Sequence, residues 1–232
     1  MKNERDTDVQ LLEQVADISR ELSEANGLQE TLQLIVDLGE NVLEHCDGVS
    51  MMLIVRGGVI ETPAASSQVA HDSELLQYAT GEGPCLSAIR DHETVLVQDL
   101  EAEERWPDYR DGALRLGVRS MASFRLFVTD DSLGALDMYS RRPNAFDQRS
   151  VLIGQVFAAQ ASVAMKAVIT EAGLQAAIHS RDVIGQAKGI VMARRQVTPD
   201  AAFAILRQLS QDRNEKLVDL AEQITATGEV PS

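Results

Sequence analysis

The chain has 232 residues, enough for one large domain or a medium domain with a smaller companion. Its 36 Asp and Glu against 21 Lys and Arg leave a formal net charge of −15, so the surface as a whole repels phosphate backbones and general nucleic-acid binding is excluded. The imbalance is uneven: residues 1–170 hold 14 basic against 28 acidic residues and residues 171–232 hold 7 against 8, which confines any such contact to the last quarter.

With 44% apolar residues the composition is that of a folded protein. The opening Met1-Lys2-Asn3-Glu4-Arg5-Asp6 has no apolar core behind a basic patch, so no secretory leader is expected. The run Val49 to Val55, broken only by Ser50, is too short to cross a bilayer, and no membrane role is expected. Two cysteines, Cys46 and Cys85, make no disulfide framework and fit a reducing cytoplasm. His45, His71, His92 and His179 show no ligand spacing, so neither a metal nor another cofactor is expected.

In chain order, Val9 to Ala25 and Leu28 to Cys46 repeat apolar residues at helical spacing, parted at Asn26-Gly27. Strand-like runs follow at Gly48 to Arg56 and Val59 to Ala65, joined by a Gly57-Gly58 turn. Gly81-Glu82-Gly83-Pro84 punctuates the middle and predicts a short helix from Pro84 to Arg90. Thr94 to Leu100 is β-rich and Trp106 to Leu116 reads as helix. Ser120 to Thr129 and Leu133 to Tyr139 form a hairpin about Asp130-Asp131. From Asp147 to about Ile224 only Pro199 interrupts a helical pattern. The order predicts an α+β fold: an antiparallel sheet with flanking helices, followed by a small all-α unit.

The long helix after Phe146 carries the line Val156, Val163, Thr170, Ala177, Ile184. Four residues on runs a second line, Gln160, Ala167, Leu174, Arg181, Lys188, Arg195, which turns basic from Arg181. Positions seven apart drift only about 20° on a straight helix, so each line keeps one face. Two readings stand: a surface helix packed on its own domain, or a signalling helix pairing with a second subunit.

Residues 10–167 resemble an actinobacterial-type GAF domain. The resemblance rests on Gly81-Glu82-Gly83-Pro84-Cys85, Val97-Gln98-Asp99-Leu100, Arg105-Trp106-Pro107, Gly117-Val118-Arg119-Ser120 and Leu133-Gly134-Ala135-Leu136-Asp137-Met138-Tyr139. It implies a small-molecule sensor, often dimeric, and not an enzyme. Residues 175–228 resemble an ANTAR domain, the three-helix RNA-binding module of transcription antiterminators. That match lies in Ile184-Gly185-Gln186-Ala187-Lys188-Gly189-Ile190-Val191-Met192-Ala193-Arg194, in Ala201-Ala202-Phe203, Leu206-Arg207 and Ser210, and in Asn214, Lys216-Leu217-Val218 and Leu220-Ala221. The stretch 147–180 then becomes a connecting and signalling helix between the two.

Local chemistry supports three helices in the second unit. Thr198 can cap the middle one, with Pro199 at its first position; Asn214 can cap the last, and Gly228 suits the position past its end. Ala202, Phe203, Leu206 and Leu209 read as the apolar face of the middle helix, placing Phe203 in the core. Gly189 inside a helix costs about 1 kcal/mol against Ala, so it needs a packing or contact reason.

Between Arg181 and Lys216 the balance is 7 basic against 4 acidic residues, net +3, which alone fits a solvated face. The resemblance shifts that reading to RNA held by Arg181, Gln186, Lys188, Gly189, Arg194, Arg195 and Arg207. It implies tandem hairpins in nascent transcripts, a homodimer, and an unidentified small-molecule signal at the sensor.

In the sensor half Cys85 and Trp106 are candidate ligand-binding residues. Cys85 stands at a helix start, where the macrodipole lowers a thiol pKa, and is either a redox sensor or a small core residue. Trp106 either covers a pocket or fills a core. Asn144-Ala145-Phe146-Asp147 lacks the trailing acidic pair of cyclic-nucleotide GAF domains, so that ligand is not expected. No nucleophile–base pair or phosphate loop emerges. The competing functional readings are a sensory dimer whose helical tail docks a protein partner, and an enzyme using Cys85.

Overall fold

The computed structural model describes residues 13, 15–54, 60–91, 93–127 and 132–231, divided into compact units over 1–169 and 170–232. The expected glycine turn at 57–58, the Asp130-Asp131 turn, His92 and the start of the first helix lie outside the described residues.

In the first unit, α1 (residues 15–24) and α2 (Leu28–Val42) precede β1 (Gly48–Ile54) and β2 (Ile60–Ala65). Next come α3 (Gln68–Thr80), α4 (Pro84–Asp91), β3 (Val95–Val97), a single 3₁₀ turn at Leu100–Ala102, and α5 (Pro107–Arg115). The hairpin β4 (Ser120–Phe127) and β5 (Ser132–Ser140) leads into α6 (Gln148–Arg195). All strand pairs are antiparallel, in the order β2-β1-β5-β4-β3, so the hairpin partner β5 sits at the centre against β1.

Because strand side chains alternate, the sheet has two unlike faces. Val49, Met51 and Leu53 of β1, Ala122, Phe124 and Leu126 of β4, and Leu136 and Met138 of β5 form one apolar core. That core is closed by Leu32, Ile35 and Val36 of α2 and by Phe157, Ala158, Ala161 and Met165 of α6. Burying each large apolar side chain there is worth roughly 1.5–3 kcal/mol. The opposite face carries Ser50, Met52, Met121, Ser123, Asp137 and Tyr139, beneath α3, α4 and α5.

Helix α3 is an element that apolar spacing does not predict. Its inward positions are Ala70, Ser73, Glu74 and Gln77, a helical period written mostly in polar residues. Helix α2 also ends at Val42, three residues short of His45, which adopts a left-handed φ of 67°.

Helix α6 is long and apolar enough to cross a membrane by length and composition, with a mean hydropathy of 1.5 over 18 residues. Part of the apolarity goes into the core through Phe157, Ala158, Ala161 and Met165. The seven-residue line is on another face: Val156, Val163, Thr170 and Ala177 are exposed, as is Leu174 of the second line.

Asp147 starts α6, its Oδ1 accepting from the Ser150 N–H at 2.7 Å and the Ser150 hydroxyl at 2.8 Å. These bonds hold its carboxyl below the usual aspartate value. Asp147→Ala is expected to cost about 1 kcal/mol in urea unfolding at neutral pH. A depressed folded pKa stabilises above the unfolded value of about 3.9 and ceases to as pH falls through the folded one. The gap between wild type and variant therefore narrows below about pH 4.

The second unit packs the end of α6, α7 (Pro199–Asp212) and α8 (Leu217–Thr227) around Val183, Ala187, Val191, Ala202, Leu206, Leu220, Ala221 and Ile224. Thr198 caps α7, its hydroxyl accepting from the Ala201 N–H at 3.4 Å, and Gly228 closes α8 with an N–H to the Ile224 carbonyl at 2.8 Å. Asn214 does not cap α8, whose N-cap is Lys216 without a side-chain bond. It instead takes φ 50° just past α7, with its N–H on the Gln211 carbonyl, a left-handed terminator that asparagine tolerates.

Candidate functional site

Each unit holds its own candidate site. In the first, strand register lines up Ser50, Asp137 and Ser123 across β1, β5 and β4, a polar row on an otherwise apolar sheet. Glu74 and Gln77 descend on it from α3 and Cys85 from α4, all fully buried.

One Glu74 oxygen, Oε2, accepts from the Ser50 hydroxyl and from the Tyr139 hydroxyl at 2.9 Å. Asp137 Oδ2 accepts from the Gln77 amide at 2.9 Å and from the same Tyr139 hydroxyl at 3.2 Å. Gln77 also takes the Cys85 backbone N–H on its Oε1 at 2.8 Å, fixing the start of α4. Gly83 makes room for this: a Cβ there would fall 2.2 Å from Gln77 Oε1, at a φ of 143°. The Gly-Glu-Gly-Pro-Cys motif is thus the hinge that brings α4 over the polar row.

Burial pushes the Glu74 and Asp137 carboxyls above their ordinary values, and for Glu74 the neighbouring Asp137 adds to the rise. Cys85 is raised well above a normal thiol by burial, then by the two carboxyls, which outweigh any help from the helix start. As it stands, the site disfavours a reactive thiolate. Cys46, the other cysteine, is pushed up to about 12 by burial.

Trp106 stands apart from Cys85. It packs with Ala88, Val95, Tyr109 and Val118, donates from Nε1 to the Ser87 hydroxyl at 3.1 Å, and carries Arg105 over its ring at 4.2 Å. The residues that sequence reasoning misses here are Ser50, Glu74, Gln77, Asp137 and Tyr139, scattered over three elements.

In the second unit Arg181, Lys188 and Arg195 form one line on α6, clear of the buried Val183, Ala187 and Val191. Arg181 and Arg195 are exposed and Lys188 half-buried; Arg181, Lys188 and Arg207 have no acidic partner among the described residues. Beside this line Gly185 and Gly189 are exposed one turn apart, and a Cβ at either would meet nothing within 4 Å. Close helix packing is therefore not the reason for Gly189, whereas the neighbouring Ala187 is fully buried.

Gln186 is exposed but, at about 100° per residue, projects from nearly the opposite side to Lys188. Arg194 lies towards the end of α8, its Nη2 4.0 Å from where a Gly228 Cβ would be, so its charge suits that helix's negative terminus. Arg195 reaches the Pro231 carbonyl at 3.5 Å. Arg207 is exposed on α7, one turn after Phe203.

Phe203 is not a core residue. It is 42% exposed, because the buried face of α7 runs through Ala202 and Leu206 and Phe203 stands about 100° off it. Phe203 and Arg207 are both exposed one turn apart on α7, a placement that apolar-face counting cannot distinguish from core.

A model of the GAF domain matches residues 25–166 and a model of the ANTAR domain matches residues 172–224. No curated protein matches the chain. Among solved structures, the GAF domain of an Acinetobacter phosphoenolpyruvate-protein phosphotransferase is similar at 14% identity and TM-score 0.56, covering 71% of this chain and 98% of that one. A domain of a two-component sensor histidine kinase protein from Sinorhizobium meliloti is similar at 16% identity and TM-score 0.54, over 65% and 99%. A free methionine-R-sulfoxide reductase from Neisseria meningitidis is similar at 16% identity and TM-score 0.52, over 69% and 91%. At these identities the likeness is one of fold. Both matched domain types are regulatory, and with the sheet order and the three-helix unit in place the chain belongs to the GAF family, as a regulator whose GAF domain is followed by an ANTAR domain.

Proposed function

We propose that this protein is a cytoplasmic, RNA-binding transcription antiterminator. Its ANTAR domain holds tandem hairpins in a nascent transcript, blocks an overlapping terminator, and answers to a signal read by the GAF domain. The observation that carries the reading is the cationic line Arg181, Lys188, Arg195, whose side chains pair with no acid among the described residues, beside bare helix backbone at Gly185 and Gly189. Phosphates need such cations, and a surface without side chains lets a bulky nucleic acid approach. Exposed glycine costs a helix about 1 kcal/mol, so a contact reason is preferred where packing supplies none.

Phe203 and Arg207 add a place for loop bases, which are recognised by stacking on aromatic rings and guanidinium planes. Homodimerisation through α6 is supported by the exposed Leu152, Val156, Val163, Leu174 and Ile178. Two ANTAR domains on one transcript gain from effective concentration, which suits a unit of modest charge.

The test is binding of the full chain to a fluorescent two-hairpin RNA, against an RNA of scrambled sequence. Phe203→Ala is expected to weaken hairpin binding by about 1–3 kcal/mol, roughly five- to 150-fold. Since Phe203 is outside the core, thermal unfolding of the variant should hardly change. Equal binding of both RNAs, or none, would sink the proposal in favour of a tail that docks a protein.

A further inference from the structure

We propose that Glu74, Asp137 and Cys85 bind a divalent first-row transition-metal ion of the Zn²⁺ class inside the GAF domain. One carboxylate oxygen from each acid and the Cys85 Sγ lie within 4.8 Å of one another, from three separate elements, α3, β5 and α4. All three residues are fully buried. Sequence spacing could not reveal this set, because ligand motifs are sought among near neighbours and these residues meet only through the fold.

Glu74 Oε1 and Asp137 Oδ1 have no hydrogen-bond partner, while their sister oxygens take the donors from Ser50, Tyr139 and Gln77. A buried oxygen without a donor costs about 1–3 kcal/mol. A cation fills both oxygens together and balances the buried acids, which pair with no Lys, Arg or His among the described residues.

The donor set selects the ion. Mg²⁺ and Ca²⁺ take shells of oxygen, whereas two carboxylates with a thiolate suit Zn²⁺ and its neighbours. Met52 Sδ, 3.6 Å from Cys85 Sγ, adds a soft thioether beside the site. Around zinc, bond lengths of about 2.0–2.3 Å set ligand atoms about 3.5 Å apart, so binding draws these donors inward.

The supporting shell is already in place. Tyr139 bonds both carboxyls, and Gln77 bonds both Asp137 and the Cys85 N–H. Binding expels the Cys85 thiol proton and any carboxyl proton to solvent. The site stands apart from RNA binding.

The experiment titrates Co²⁺, a spectroscopic substitute for Zn²⁺, into chelator-treated full-length protein. One Co²⁺ per chain is expected, with a near-ultraviolet thiolate-to-cobalt absorption that Zn²⁺ displaces and Mg²⁺ does not. Cys85→Ser should abolish the absorption, Cys46→Ser should keep it, and Asp137→Asn should weaken binding at least tenfold. If Asp137→Asn fails to fold, the nearly isosteric Cys85→Ser decides alone. Absence of the band, its survival in Cys85→Ser, or displacement by Mg²⁺ overturns the site. No RNA enters the measurement, so its failure leaves the antiterminator reading untouched.

Discussion

Replacing Lys188 and Arg195 together by glutamate should lower affinity for a two-hairpin RNA on the order of a hundredfold at moderate salt. It should also flatten the plot of log affinity against log salt by about one unit for each lost phosphate contact. The two effects belong together. A cation on a phosphate releases a condensed counterion, so losing it removes both binding energy and a unit of salt dependence. The sensor half cannot compensate, because residues 1–170 hold 28 acidic against 14 basic residues. Neither substituted side chain belongs to the second unit's buried core, so the variant should melt as the wild type does. Unchanged affinity and slope would remove this line from the interface. Loss of a protein partner from nuclease-treated lysate, with no RNA binding, would favour a docking tail.

The largest effect on stability is expected at Gly134, near the start of β5. Its φ is +153°, and a Cβ there would fall 1.7 Å from the Met52 carbonyl oxygen on β1. That atom is backbone within the sheet, since Met52 pairs with Ala135 and Leu53 with Gly134. Relief therefore requires parting the two central strands. Gly134→Ala should destabilise the GAF domain by roughly 3–5 kcal/mol in urea unfolding. Gly189→Ala should do the reverse: with nothing within 4 Å, alanine adds about 1 kcal/mol to the helix. A milder loss at Gly134 than gain at Gly189 would contradict the packing of both units.

How much was legible depended on which residues wrote the pattern. Helices α2, α7 and α8 bury apolar stripes, and the period shows. Helix α3 escaped because its inward stripe includes Ser73, Glu74 and Gln77, which periodicity arguments assign to solvent. Glu74 and Gln77 also build the buried polar cluster, so the missed helix and the missed site are one fact. Phe203 failed in the opposite sense, as an apolar residue one position away from the buried line. By residue type Asn214 suits a helix start, whereas its backbone ends one; the sequence marks a boundary there, and only φ decides which side it serves.

By itself, then, the sequence determined the order of the elements other than α3, the succession of a sheet domain and a helical unit, and the separation of charge, because periodicity, turn residues and net charge are local or additive properties. It also supplied the cationic line, since seven-residue spacing holds one face of any helix. Only the tertiary structure decided which polar residues are inside. Ser50, Glu74, Cys85 and Asp137 become one site through strand register and through the packing of α3 and α4 over the sheet. Register and helix packing answer to contacts between distant residues, and those contacts determine whether an acid faces water or another acid.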